Sequence, residues 1–151
     1  MFKHIMIPTD GSPQSQKAAA RGVELAKALG AKVTAFFAAP PATPVVYRDH
    51  LPVGFAQPAE HDEIIKKTAS KHLDFIERVA RKAGVRCEGV HVTSDYPAEA
   101  ILDMVKKKKC DLVVMATHSK GGLRDVFVGS VTQKVLNQSK VPVMVFRRTG
   151  E

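Results

Sequence analysis

The sequence predicts an open, doubly wound α/β fold, and three features carry that prediction. Apolar runs of strand length alternate with amphipathic stretches of helix length along the whole chain. The run 112–115, Leu-Val-Val-Met, is too short for a typical helix and too continuous for a half-exposed strand, which marks a strand buried on both faces of a parallel sheet. The first strand, helix and second strand form a crossover of the length that parallel pairing requires.

Residues 4–9 read as the first strand. Asp10-Gly11-Ser12-Pro13 then turns the chain into a helix, with Ser12 suited to the N-cap and Pro13 to the first helical position. Ala18, Ala19, Val23, Ala26 and Leu29 lie near helical spacing, and Gly30 ends that helix. A second strand follows over 32–38. Prolines then interrupt residues 39–58, where no period of two or 3.6 survives. That stretch reads as a long loop, either a cover for a site or an ordinary surface excursion. The next helix, 59–83, carries an apolar stripe that includes Ile65, Ala69, Leu73 and Ile76, and Gly84 stops it. Residues 86–93 alternate imperfectly, as an edge strand does. Tyr96-Pro97-Ala98-Glu99 opens a third helix, with Asp95 as the candidate cap. After the fourth strand and a long glycine-bearing loop, a fourth helix begins near Gly129-Ser130. Residues 141–147 form the fifth strand, and Pro142, lacking a ladder donor, makes it an edge.

At 151 residues and 44% hydrophobic, with no polar linker, the chain is expected to form one domain over 1–151. It has no apolar run long enough for a membrane span, and its start leads into a strand and not a signal peptide, so a cytoplasmic protein with no membrane partner is expected. Cys87 and Cys110 fit neither a zinc site nor a redox pair and read as reduced structural thiols. The formal net charge of +8 points to an acidic partner without choosing one. Its densest piece, Lys106 to Lys109, falls where a helix ends and complements the helix dipole. With no Trp, two Tyr and no stripe of aromatics among the cations, nucleic acid is not an expected partner.

In a doubly wound sheet, ligands bind beyond the carboxyl ends of the strands, where the strand order reverses. That rule selects the loop after the first strand (Thr9, Asp10, Gly11) and the loop after the fourth, 116–122. The helix beginning at Gly129-Ser130 adds N–H groups without intrahelical partners at the positive end of a dipole. Ser130, Val131 and Thr132 can therefore hold an anion.

These segments resemble the universal stress proteins. The resemblance rests on Ile-Pro-Thr-Asp-Gly-Ser at 7–12, Asp-Leu-Val-Val-Met-Ala-Thr-His at 111–118, Val-Gly-Ser-Val-Thr-Gln-Lys-Val-Leu at 128–136 and Val-Pro-Val-Met-Val-Phe at 141–146. It implies an adenine-nucleotide alpha-hydrolase-like sheet of order 3-2-1-4-5 and a cytoplasmic stress-response regulator, commonly a homodimer paired through the last strand. One branch of the family binds ATP, through a motif of Gly, two residues, Gly, nine residues, then Gly with Ser or Thr. Here those places hold Ala116, Ser119 and Gly129-Ser130, so the spacing is intact and two glycines are replaced. Position by position, the resemblance puts Pro8, Thr9 and Asp10 beside ribose and adenine, Ala38 at the adenine wall, and Met115, Ala116, His118 and Ser119 along the loop. Gly129, Ser130, Val131 and Thr132 fall at the phosphates. ATP with Mg²⁺ is the implied cofactor, with no metal cluster of the protein's own. Each assignment has a plainer alternative: Asp10 as a turn former, Ser130 as an N-cap, His118 as a loop-packing histidine.

Val143, Met144, Val145 and Phe146 form an apolar edge, which tends to find a partner unless the chain's own helices cover it. No nucleophile is paired with a base, and neither HExxH nor a Walker lysine is present, so slow ATP hydrolysis is the most that catalysis offers. The competing reading is a stress protein that binds no nucleotide and acts through contacts with an unknown protein partner.

Overall fold

The computed structural model describes residues 1–41, 46–48, 51–53, 58–117 and 129–147. Its large sheet has five strands: β1 (His4–Pro8), β2 (Lys32–Ala39), β5 (Cys87–Thr93), β6 (Leu112–Ala116) and β7 (Val143–Phe146). They lie in the order β5-β2-β1-β6-β7, and every pairing is parallel. This is the expected 3-2-1-4-5, with β5 and β7 at the edges. Four helices connect them: α1 (Pro13–Leu29), α2 (Pro58–Ala83), α3 (Pro97–Lys108) and α4 (Ser130–Gln138).

Two apolar layers follow from the pleat of the strands. Ile5 and Ile7 of β1, Val33 and Ala35 of β2 and Val114 of β6 face α1 and α2. Their neighbours Met6, Phe36, Val113 and Met115 face α3 and α4. The central strands are thus apolar on both faces, as the continuous runs required. Gly22 lets α1 lie close to the sheet, since a Cβ there would come 2.7 Å from Ile7 Cδ1.

Helix ends follow the sequence in most places. Ser12 caps α1 by accepting the Ser15 N–H at 3.2 Å, and Gly30 closes it at φ 65°. The third helix departs from expectation: its N-cap is Tyr96, not Asp95, and no side chain caps it. Just before the helix, Ser94 Oγ accepts the Tyr96 N–H at 3.0 Å in a local turn, and the helix starts one residue later than an Asp95 cap would set it. Lys106, Lys107 and Lys108 do occupy the last turn of α3, and Lys109 closes it at φ 56°.

The stretch 39–58 is not wholly irregular. It contains β3 (Val46–Arg48) and β4 (Leu51–Val53), which pair antiparallel with Tyr47 opposite Pro52. Three-residue strands are too short to show a period, and Pro52 argued against a strand. In a two-stranded ribbon every strand is an edge, where a missing donor is tolerated.

Both cysteines are free. Burial raises the Cys87 thiol to about 11, helped by Glu77, and burial likewise raises Cys110 to about 11 against the Thr34 hydrogen bond. Thiols so shifted are protonated and unreactive at neutral pH, which fits a structural role. Among the described residues no helix is long and apolar enough to cross a membrane.

Candidate functional site

The strand order reverses between β1 and β6, since β2 lies on one side of β1 and β6 on the other. The carboxyl ends of these two strands define the candidate cleft. Thr9 follows β1 and is anchored by its N–H, which donates to the Phe36 carbonyl at 2.8 Å. Its buried hydroxyl lies 3.0 Å from Ser15 Oγ and accepts the Gly11 N–H at 3.0 Å.

Asp10 is drawn into the same turn. Its Oδ1 accepts the Ser12 N–H at 2.9 Å and the Ser15 hydroxyl at 2.8 Å. The turn-forming reading of Asp10 is therefore real, and it fixes the carboxylate at the mouth of the cleft, where Asp10 is exposed. Gly11 is required twice over. It sits at φ 80°, and a Cβ would overlap the imidazole of His72 from α2. His72 in turn packs edge-on against Phe37, with ring centroids 5.1 Å apart.

On the other side, Thr132 is 3% exposed and its hydroxyl donates to the Ala116 carbonyl at 3.0 Å, tying the start of α4 to the end of β6. Thr117 N–H donates to the Phe146 carbonyl at 3.1 Å and continues the β6 to β7 ladder past Ala116. The N-cap of α4 is Gly129, which brings no side chain. Ser130 is the first helical residue, so the reading of Ser130 as a cap is corrected: a residue inside the first turn cannot take the half-in cap geometry. The first bond of the helix runs from Gln133 N–H to the Gly129 carbonyl at 2.9 Å. Among the described residues, the Ser130, Val131 and Thr132 N–H groups ahead of it meet no capping side chain. α4 is braced from outside by an ion pair between Lys134 and Glu99 of α3.

The structure thus brings together the ends of β1 and β6 and the start of α4, with Pro8 and Met115 buried and Ala116 half-buried. Ala38, half-buried, lies near the end of β2 opposite Val92. His118 and Ser119 lie outside the described residues. Reading the sequence missed Ser15 and His72. A signal existed for the first, because Ser12-x-x-Ser15 has the spacing of a reciprocal cap. Nothing local marks His72, whose role comes from tertiary packing. Among the described residues no cluster of three or more His, Cys, Asp or Glu could hold a metal.

At the far edge, Val143 and Val145 pack toward α3 and α4, and Phe146 packs on the opposite layer. Met144 is 38% exposed. The chain's own core thus covers Val145 and Phe146 in part, and Met144 is the most open side chain of the edge strand.

A family model described as the universal stress protein family matches residues 1–147. Universal stress protein MJ0531 of Methanocaldococcus jannaschii is 31% identical, over 98% of this chain and 84% of its own. Among solved structures, a universal stress protein in complex with cAMP superposes with a TM-score of 0.71 at 22% identity, over 98% of this chain and 99% of the other. The universal stress protein from Archaeoglobus fulgidus in complex with dAMP gives 0.61 at 19% identity, over 96% and 97%. With its sheet order, its switch-point loops and this match over nearly its full length, the chain belongs to the universal stress protein family.

Proposed function

We propose that this protein is a cytoplasmic stress-response regulator that binds an adenine nucleotide, ATP with Mg²⁺, between the loops after β1 and β6. One observation carries the reading: the start of α4, capped by no side chain among the described residues and held to β6 by the Thr132 hydroxyl, presents N–H donors at the topological switch point. Relatives of this fold have been solved with cAMP and dAMP, which supports an adenine nucleotide as the ligand. Gly129, Ser130, Val131 and Thr132 hold the phosphates. Pro8, Thr9 and Asp10 border the ribose and base, Ala38 forms the adenine wall, and Met115, Ala116, His118 and Ser119 complete the loop. The protein would bind and sense the nucleotide, with hydrolysis slow at most.

The protein acts as a homodimer through the edge of β7, residues Val143, Met144, Val145 and Phe146. Because Val145 packs on its own core, Met144→Lys is the cleaner probe: it leaves the fold intact and shifts light scattering to the monomer mass. A variant that stays dimeric moves the interface elsewhere.

A second reading has its own support. Ala116 and Ser119 stand where the ATP-binding motif has glycine; Ala116 ends β6 without positive φ, whereas at Ser119 a β-carbon at the positive φ that glycine accepts would cost on the order of 1 kcal/mol. On that reading the dimer binds no nucleotide and acts through a protein partner. The two readings separate on nucleotide released from denatured protein, identified by mass spectrometry, together with the affinity of Ser119→Gly. ATP in the extract and tighter binding by the variant support the first reading. An empty extract and no binding by either protein support the second.

A further inference from the structure

The net positive charge of the chain is gathered at one end of the fold, opposite the candidate cleft. All strands of the large sheet run parallel, so their amino ends share one face, and α1, α2 and α3 return to that face to feed β2, β5 and β6. Three adjacent strands start from cations, Lys3, Lys32 and Arg86. They are locked in register by Lys32 N–H to the Lys3 carbonyl at 3.0 Å and Val33 N–H to the Arg86 carbonyl at 2.8 Å. The helix ends add Lys27 from α1, Arg81 and Lys82 from α2, and the run Lys106 to Lys109 from α3, and Lys140 precedes β7. All of these except Lys108 are exposed.

Among the described residues the carboxylates at this end are Glu88, paired with Lys108 at 3.0 Å, Asp111, whose oxygens accept the Lys3 and His4 N–H groups at 2.8 and 3.0 Å, and Glu77, which lies beside Cys87 and Gly89 at the start of β5. The cations outnumber these three by as much as the formal net charge of the entire chain, +8, so the remainder is neutral. Helix dipoles explain only part of this. Each helix end contributes about half a negative charge, and Lys3, Lys32 and Arg86 belong to strand starts, where dipoles are small. Backbone economy does not explain Lys109 either. The matching positions after α1 and α2 are Gly30 and Gly84, at φ 65° and 72°, whereas Lys109 holds φ 56° with a side chain.

We propose that this face docks the phosphate backbone of a duplex nucleic acid, through charge and without reading sequence. The scarcity of aromatics speaks against single strands, whose bases must be stacked. A duplex offers phosphates instead, at one negative charge per about 1.7 Å of axis. Insertion into lipid would need apolar anchors, and the large exposed apolar side chains at this end among the described residues are Met1, ahead of β1, and Leu136, in the last turn of α4, two separate positions. Five strands spaced about 4.8 Å apart make a face near 19 Å wide, enough to meet several phosphates. Most of its cations are lysines, point charges suited to phosphate and poor at bidentate base readout.

The test is fluorescence anisotropy of the full chain with a labelled random-sequence duplex of roughly 20 base pairs across a salt series. Binding should weaken steeply, with log K falling by about 0.9 per phosphate contact for each unit of log salt. The variant Lys106→Gln/Lys107→Gln/Lys109→Gly should lose affinity at least about tenfold and reduce the slope by about 2 to 3. Its melting temperature should not fall, because glycine relieves the left-handed position. The charge-matched control Lys66→Gln/Lys67→Gln/Lys71→Gln, on exposed positions of α2, should bind nearly as well as the wild type. No binding at about 50 mM salt, or equal losses in both variants, overturns the site. Tighter binding to phosphatidylserine vesicles or to an acidic peptide than to the duplex overturns the choice of partner.

Discussion

The two junctions that meet at the switch point treat the same problem in opposite ways. Each must satisfy the N–H groups that open a helix. Between β1 and α1 the chain closes on itself: Ser12 caps the helix, Pro13 has no N–H to satisfy, and Ser15 joins the Thr9 hydroxyl, the Asp10 carboxylate and the Ser12 carbonyl. Between β6 and α4 the chain supplies glycine as the cap, and among the described residues the Thr132 hydroxyl, donating to the Ala116 carbonyl, positions the helix while no side chain caps its donors. The first junction is a finished wall. The second, among the described residues, presents oriented N–H dipoles with no capping side chain, the arrangement an anion site requires.

Substitutions should therefore cost stability on the β1 side and binding on the α4 side. The largest effect belongs to Gly11→Ala, which combines a positive φ with overlap of the His72 ring. A loss of about 2–4 kcal/mol in urea denaturation is expected, and a neutral result would mean that His72 gives way freely. Ser15→Ala removes the hub of the network and should cost about 1–3 kcal/mol. Ser12→Ala should cost about 0.5–2 kcal/mol through the lost cap, whereas Ser130→Ala, at a position that caps nothing, should leave stability within about 0.5 kcal/mol. Equal losses at Ser12 and Ser130 would erase the distinction between the junctions.

The smallest effect is a control from the far end of the sheet. Burial, with Lys32 nearby, lowers the His4 pKa below its ordinary value of 6.5, and the ring contacts Thr34 Oγ1 at 2.6 Å. A base whose folded pKa is depressed binds protons more readily when unfolded. Its contribution to stability is thus complete above pH 6.5 and is lost as the pH falls through the folded value. His4→Gln should flatten the stability curve as the pH falls below 6.5 and leave any MgATP-dependent shift in melting temperature unchanged. Asp111 behaves with the same sign at lower pH: burial opposes its ionisation, but the N–H groups of Lys3 and His4 outweigh that and lower its pKa below 3.8.

Most of this architecture is legible in the sequence because its signals are local or periodic. The run 112–115 could only be a doubly buried strand, and Ser12-Pro13 with Gly30 marked both ends of α1. The strand order was legible through family resemblance, since periodicity alone does not say which strands are neighbours. What escaped depends on short elements or distant contacts. The hairpin of β3 and β4 is below the length at which a period shows, α3 takes Tyr96 as its N-cap one residue past the expected Asp95, and His72 reaches Gly11 only because α2 packs over β2. At the candidate site the residue types were visible in the sequence. The geometry that separates a capped helix start from an uncapped one was not.

The most direct test replaces the uncapped start of α4 with a capped one. Gly129→Asp supplies a side-chain acceptor and a negative charge at the helix terminus, worth about 1 kcal/mol to the ligand-free protein, and sets a carboxylate where the phosphates would lie. Melting temperatures of wild type and variant should be measured with and without MgATP. At about a hundred times its dissociation constant the nucleotide adds roughly 2.7 kcal/mol, and each kcal/mol moves the midpoint by roughly 2–4 °C. The expected result is a clear rise for the wild type, with a variant that melts higher alone and no longer responds to MgATP. A variant that keeps the full response, or a wild type that shows none at millimolar MgATP, would contradict an anion site at the start of α4.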